Sequence, residues 1–172
     1  MYGLFARIRR AHAHAVCPVT AIQNRYSMMY RDYEKLFPVL EELIIGFVAF
    51  SPLANGLLTE QYDKNSTFEK GTDYRADMPQ FQPQAFEENA ALFELLRKIA
   101  AQKNATPAQI SLAWMLCKKP YIVPIPGSRK IYRLSENAKS AEIFLSKSEV
   151  SELNKALDKV GMSEVFGGHK AK

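Results

Sequence analysis

A strand followed by a basic loop and a helix, over residues 120–137, constrains the fold more than any other segment of this 172-residue chain. Its apolar start ends at Pro126 and Gly127, which favour a turn. Ser128 and Arg129 follow directly, and helical spacing begins after them. A hydroxyl and a cation between a strand and a helix are typical of a site for an anionic group such as phosphate. The unit therefore predicts an α/β fold with a ligand site at the carboxyl end of a strand.

Strands and helices alternate along the rest of the chain. Residues 19–23 and 44–50 have the apolar, β-branched composition of strands, and the second lacks polar side chains, as expected in a covered parallel sheet. Helical spacing or a helix-start signal marks six segments: residues 7–15, 30–43, 86–102, 108–118, 131–140 and 147–160. This order predicts a parallel sheet within one α/β domain, residues 1–172, with a flexible tail over residues 161–172.

Local signals add detail to these elements. Pro38 lies inside a helical segment, which predicts a kink or a short first turn there. Thr106 and Pro107 are a helix cap and a first helical residue. The polar segment between the second strand and the next helix, residues 55–83, is rich in Gln, Asp, Thr and Pro. A loop of this length in a compact domain is usually functional or mobile.

Composition narrows the classes of function. The net charge of +5 is scattered rather than clustered, which argues against nucleic-acid binding. No segment approaches the ~20 apolar residues that span a membrane, and the amino end lacks the apolar core of a signal peptide. Cys17 and Cys117 have no close spacing, and the three histidines form no zinc pattern. We therefore expect no metal site and a reducing, cytoplasmic location.

All three predicted strands end in residues suited to ligand binding. Gln23 ends the first strand, Phe50 and Ser51 end the second, and Ser128 with Arg129 follows the third. Because ligands bind at the carboxyl ends of strands in parallel α/β folds, we expect these groups to converge. Each residue alone has a simpler interpretation: Gln23 at a sheet edge, Phe50 in the core and the arginine on a solvated face. Their order along the chain favours a phosphate-bearing ligand.

Three motifs, VTAIQNRYS, FVAFSPLANGLLT and IVPIPGSRKIYRLSEN, resemble the carboxyl-terminal half of the aldo-keto reductases in order and spacing. The resemblance runs over residues 7–160. It implies a partial (β/α)8 TIM barrel that carries about the last three β/α units and a carboxyl-terminal helix. It also implies that the chain binds NADP(H), and that the family reaction is NADPH-dependent reduction of aldehydes and ketones.

The resemblance also assigns contacts to individual residues. Gln23 would bond the nicotinamide carboxamide, Phe50 would stack on the nicotinamide ring, and Tyr26 would lie on the substrate side. The pyrophosphate would be lined by Ser51, Leu53, Asn55 and Gly56. The 2′-phosphate would be held by Ser128, Arg129 and Arg133, and the adenine by Glu136 and Asn137. The segment 55–83 resembles one that folds over cofactor and substrate.

The sequence departs from the family pattern in two ways. The catalytic Asp, Tyr, Lys and His of the family come from the first half of the barrel, and no segment here matches their motifs. Ile44 and Glu60 stand where relatives usually have glycine, which predicts a strained turn. We therefore expect a cofactor-binding half that is inactive alone. The alternative is a half-barrel assembly module that self-associates or pairs with a separate amino-terminal half, because its sheet edges are open.

Overall fold

Three parallel strands form one sheet in the computed structural model, which describes residues 12–165. They are β1 (Ala21–Arg25), β2 (Gly46–Phe50) and β3 (Ile122–Pro124). β2 lies between the other two and pairs with both in parallel, which confirms the predicted sheet. β1 begins and ends two residues later than predicted, so Gln23 is its middle residue, opposite Val48, rather than its last.

The sheet has one covered face and one open face. Side chains alternate along a strand, and partners in register lie on the same face. Phe47 and Ile122 pair in register and are buried in the core. The other side, called the open face below, is formed by Ala21, Gln23, Arg25, Gly46, Val48, Phe50 and Val123. Val123 is 54% exposed, so the described residues leave this face uncovered at β3.

Helices connect and flank the strands. They are α1 (Phe37–Glu42), α2 (Pro83–Glu88), α3 (Ala90–Gln102), α4 (Pro107–Lys118), α5 (Ile131–Ala138) and α6 (Lys147–Leu157). Short 3-10 turns cover Asp32–Leu36, Ala54–Thr59, Tyr74–Asp77, Pro79–Phe81 and Lys139–Glu142. Pro38 lies in the first turn of α1, as predicted. Residues 12–16 are also helical, and the rest of the helix predicted over residues 7–15 lies outside the described residues. No helix between residues 12 and 165 combines the length and apolarity needed to cross a membrane.

Helix α4 packs at the centre of the core. Its Ile110 and Trp114 side chains are fully buried. At its start, Thr106 Oγ1 accepts a hydrogen bond from the Gln109 backbone N–H at 3.3 Å, and Gln109 Oε1 accepts one from the Thr106 N–H at 3.0 Å. Pro107 occupies the first helical turn, where its missing N–H costs nothing. The predicted start of this helix is therefore confirmed.

The structure corrects two expectations about the second half of the chain. The helix predicted over residues 86–102 is broken at Asn89, between α2 and α3. The buried Asn89 amide donates to Ser163 Oγ at 2.8 Å and accepts from the Ser163 N–H at 3.0 Å. These bonds hold residues 161–165 against the core, so this part is not the flexible tail expected from the sequence. Residues 166–172 lie outside the described residues.

Ile44 adopts a left-handed conformation in the turn after α1. The Ile45 N–H donates to the Leu40 carbonyl at 2.9 Å, and the Ile44 N–H donates to the Glu41 carbonyl at 3.3 Å. This pair of bonds is the Schellman motif, in which the residue after the helix cap is left-handed and is usually glycine. Ile44 has a φ of 55°, although a β-branched residue strongly disfavours positive φ. Glu60, the second position that replaces a usual glycine, has a φ of 53°.

Replacing Ile44 by glycine is expected to raise the free energy of unfolding by about 1 kcal/mol. The change relieves left-handed strain of about 1–2 kcal/mol, and the greater freedom of glycine in the unfolded chain offsets part of that gain. The side chain is 90% exposed, so little packing is lost. Urea unfolding followed by circular dichroism measures the effect. Ile44→Ala is the control, because it removes the same exposed atoms but keeps the strained Cβ. Equal gains in both variants would refute the strain explanation.

Candidate cofactor site

A cleft of about 690 Å³ lies between the loop after β2 and the segment after β3. Both segments leave the carboxyl ends of adjacent parallel strands, which brings them side by side. The volume falls within the range of pockets that hold drug-sized ligands. Nine residues predicted from the sequence line this cleft: Ser51, Leu53, Asn55, Gly56, Ser128, Arg129, Arg133, Glu136 and Asn137.

Four of the first six residues after β2 have positive φ. They are Ser51 at 51°, Ala54 at 49°, Asn55 at 62° and Gly56 at 103°. Left-handed residues that carry a Cβ are strained, and such strain clusters at functional sites. The φ of Gly56 is one that residues with a side chain rarely adopt, and a Cβ there would also crowd Tyr62 Cε2 at 3.2 Å. Without a side chain at this point, a ligand can approach the backbone closely.

The wall of the cleft that follows β3 is basic. Its cations are Arg129, Lys130 and Arg133. Ser128 Oγ accepts a hydrogen bond from the Lys130 backbone N–H at 3.1 Å, which shapes the loop just before α5. Arg133 Nε donates to the Tyr132 hydroxyl at 3.2 Å. This bond is the main reason that the pKa of Arg133 is raised, and the Tyr62 phenol contributes less. With Glu136 as the acidic residue on this wall, the net positive charge suits a phosphate group.

Residues of the long loop between β2 and α2 also line the cleft. The Arg75 guanidinium lies 4.9 Å from the ring centroids of both Tyr62 and Phe68. Its Nη2 pairs with Asp73 Oδ2 at 2.5 Å, and its Nη1 donates to the Tyr62 hydroxyl. Gln80, from the end of the loop, donates to Asn55 Oδ1 at 3.2 Å. These contacts define the conformation of the loop, and no pattern in the sequence indicated them.

Gln23 and Phe50 lie outside the lining of the cleft, on the open face. Phe50 directly precedes Ser51, which lines the cleft. The structure adds Arg25, which pairs with Phe50 in register and whose guanidinium lies 5.5 Å from the Phe50 ring centroid. Arg25 follows Gln23 by two residues, and side chains two residues apart on a strand lie on the same face of the sheet. This periodicity could have identified Arg25 from the sequence.

The structure places Tyr26 in the core, which corrects the expectation that it faces the substrate. Its side chain is fully buried, and its ring stacks on Trp114 with centroids 5.4 Å apart. Phe37 and Phe47 pack edge-on against the same ring. The Tyr26 hydroxyl donates to Glu34 Oε1 at 2.8 Å. Burial, followed by the Glu34 charge, raises the pKa of Tyr26 far above its usual value, so the phenol stays neutral and structural.

Sequence comparisons identify similar proteins. The sequence model of the Aldo/keto reductase family matches residues 2–158. Aldo-keto reductase str7 of Strobilurus tenacellus is 38% identical over 93% of this chain and 48% of its own length. Aldo-keto reductase yakc of Schizosaccharomyces pombe, whose name carries the label NADP(+), is 37% identical over 93% of this chain and 46% of its own length. The chain thus spans about half the length of the curated relatives it matches.

Solved structures have a similar fold. The glycerol dehydrogenase AKR11B4 from Gluconobacter oxydans gives a TM-score of 0.76 at 25% identity, over 92% of this chain and 48% of the other. The thermostable aldo-keto reductase Tm1743, solved with the inhibitor epalrestat, gives a TM-score of 0.58 at 26% identity, over 86% and 45%. Together with the parallel sheet, these matches confirm a partial barrel. The chain therefore belongs to the Aldo/keto reductase family.

Proposed function

We propose that this chain binds NADP(H) and forms the cofactor-binding half of an NADPH-dependent carbonyl reductase. The observation that carries the proposal is the cleft, in which a strained loop with Gly56 faces a wall that contains Arg129, Lys130 and Arg133. A dinucleotide with a 2′-phosphate needs a close backbone approach at its pyrophosphate and basic side chains at its adenosine end. Both features occur in this one cleft.

The parts of the proposed site have separate roles. Ser51, Leu53, Asn55 and Gly56 line the pyrophosphate; Ser128, Arg129 and Arg133 hold the 2′-phosphate; and Glu136 and Asn137 contact the adenine. Gln23 and Phe50 hold the nicotinamide at the open face. When bound, NADPH supplies a hydride for an aldehyde or ketone, while this chain's residues bind and orient it.

Carbonyl reduction also needs a general acid that protonates the oxygen. The family's Asp, Tyr, Lys and His have no matching motifs in this sequence, and Tyr26 is buried away from the open face. We therefore propose that the 172-residue chain does not turn over carbonyl compounds by itself. We also propose that it works in the cytoplasm, where NADP(H) is available.

Titration of NADPH into the pure chain tests the proposal. Saturable quenching of Trp114 fluorescence or enhancement of NADPH fluorescence is expected, with weaker binding of NADH because it lacks the 2′-phosphate. A panel of aldehydes assayed with NADPH should give no oxidation above the rate without protein. Absence of saturable NADPH binding would refute the cofactor assignment. Clear turnover of an aldehyde would refute the proposed inactivity.

A half-barrel assembly module is the second candidate, and the exposed apolar residues favour it. Ile131 and Leu134 of α5 are 81% and 46% exposed, and Val123 of the edge strand β3 is 54% exposed. Apolar surface beside a free strand edge promotes association. We expect light scattering of the pure chain to give a mass above 19.5 kDa that rises with concentration. A monodisperse monomer at every concentration would contradict this candidate.

A further inference from the structure

Arg25 is a charged side chain on the open face, and no described residue forms an ion pair with it. It is the last residue of β1, two residues beyond Gln23, and it pairs in register with Phe50. Its guanidinium lies 5.5 Å from the Phe50 ring centroid and 6.0 Å from that of Tyr30, so aromatic rings hold it in position.

The Nη1 atom of Arg25 is shielded from solvent and has no hydrogen-bond partner in the described part of the chain. A buried donor without a partner destabilises a protein, and a charged one does so more strongly. Burial lowers the pKa of Arg25, and the nearby Tyr30 and Tyr33 oppose that effect. An arginine nevertheless stays charged, so this group needs an acceptor, and an anionic one fits best.

The phosphates of the proposed cofactor are too far away to fill this role. The basic wall that suits them follows β3, whereas Arg25 ends β1, and β2 lies between these strands. Two strand spacings amount to about 10 Å. The residues beside Arg25 are instead Gln23 and Phe50, which are proposed to hold the nicotinamide. The missing anion therefore belongs to a group that lies at the nicotinamide end.

We infer that Arg25 binds a carboxylate of the carbonyl substrate, so that the preferred substrates are aldehydes or ketones that carry a carboxylate. This inference rests on the proposed NADP(H)-dependent function, because that function puts the substrate at the open face. The guanidinium fork matches a carboxylate with two parallel hydrogen bonds. The Tyr30 ring, which also lies beside the guanidinium, provides an apolar surface for the organic part of the same molecule.

A matched pair of probes tests the inference on the full chain. 4-Carboxybenzaldehyde and its methyl ester, methyl 4-formylbenzoate, differ by one negative charge. Each is titrated with and without NADPH while arginine Nε–H resonances are followed by NMR. We expect the acid to shift the Arg25 resonance and to bind at least tenfold more tightly than the ester. Arg25→Met should abolish that preference, and Arg25→Lys should restore part of it.

Arg31→Met is the control, because Arg31 already pairs with Asp158 at 2.5 Å and should not affect the preference. Equal binding of acid and ester, or a preference that survives in Arg25→Met, would overturn the inference. NADPH binding measured on the same samples separates the two proposals. If NADPH binds and the acid is not preferred, the inference fails alone. If the acid is preferred through Arg25 and NADPH does not bind, the anion site stands and the proposed cofactor function fails.

Discussion

Replacing Tyr26 by alanine is expected to lower the free energy of unfolding by about 3–5 kcal/mol, the range for large aromatic truncations in cores. The side chain is fully buried against Trp114, Phe37 and Phe47, so the change leaves a cavity among aromatic rings. It also removes the hydroxyl that donates to Glu34. Domains of this size are stable by roughly 5–15 kcal/mol, so such a loss is severe. Urea unfolding measures it.

The milder variant Tyr26→Phe keeps the test informative if Tyr26→Ala does not fold. It retains the ring packing and loses only the hydrogen bond to Glu34, so stability should fall by about 1–3 kcal/mol. Glu34 keeps its ion pair with Lys118 at 2.5 Å, which limits the loss. The affinity for NADPH should not change in Tyr26→Phe, because this residue is in the core. A large drop in NADPH affinity with unchanged stability would restore a ligand-binding role for Tyr26.

Replacing Arg133 by methionine is expected to weaken NADPH binding by about 10- to 100-fold, because a hydrogen bond to a charged group contributes about 1.5–3 kcal/mol. Arg133 lines the basic wall from the first turn of α5. Methionine keeps the unbranched stem and removes the charge. Dissociation constants from NADPH fluorescence measure the effect, and they should be compared at one salt concentration because phosphate contacts are screened.

NADH provides the internal control for Arg133→Met, since it lacks the 2′-phosphate. Its affinity should change by less than about threefold, so the preference for NADPH over NADH should largely disappear. Arg133→Lys keeps the charge but loses the planar fork and should show an intermediate loss. An equal loss for NADPH and NADH would place Arg133 at a part of the cofactor common to both, or would indicate a change of structure.

Local signals in the sequence predicted those parts of the fold that depend on neighbouring residues. Thr106 and Pro107 mark the start of α4, and both contribute through contacts within one helical turn. The replacement of glycine at Ile44 and Glu60 predicted strain, which depends only on backbone angles. No local signal predicted the break at Asn89, and the hydrogen bonds that its side chain makes there reach Ser163, far away in sequence.

In the candidate site, too, the sequence predicted the features that depend on neighbouring residues and not those that depend on distant contacts. Ser128, Arg129 and Arg133 belong to one strand–loop–helix unit, so their proximity follows from local structure. Arg75 and Tyr62 meet through the folding of a long loop, and no periodicity in the sequence predicts that contact. The resemblance to the family predicted that Tyr26, which lies in the same motif as Gln23, is on the substrate side. Only the packing of three other aromatic rings around it shows that it turns into the core.

The pairing of β2 with β3 makes the cleft a product of tertiary folding. One wall leaves β2 and the other leaves β3, so an unfolded chain has no site. A ligand that binds only the folded state stabilises it by about 2.7 kcal/mol at one hundred times its dissociation constant. On the proposed function, a higher NADP(H) concentration would raise the free energy of unfolding of the chain as well as the fraction of chains that carry cofactor. A fall in the NADP(H) pool would then raise the population of unfolded chain, which is the form that proteolysis and aggregation remove.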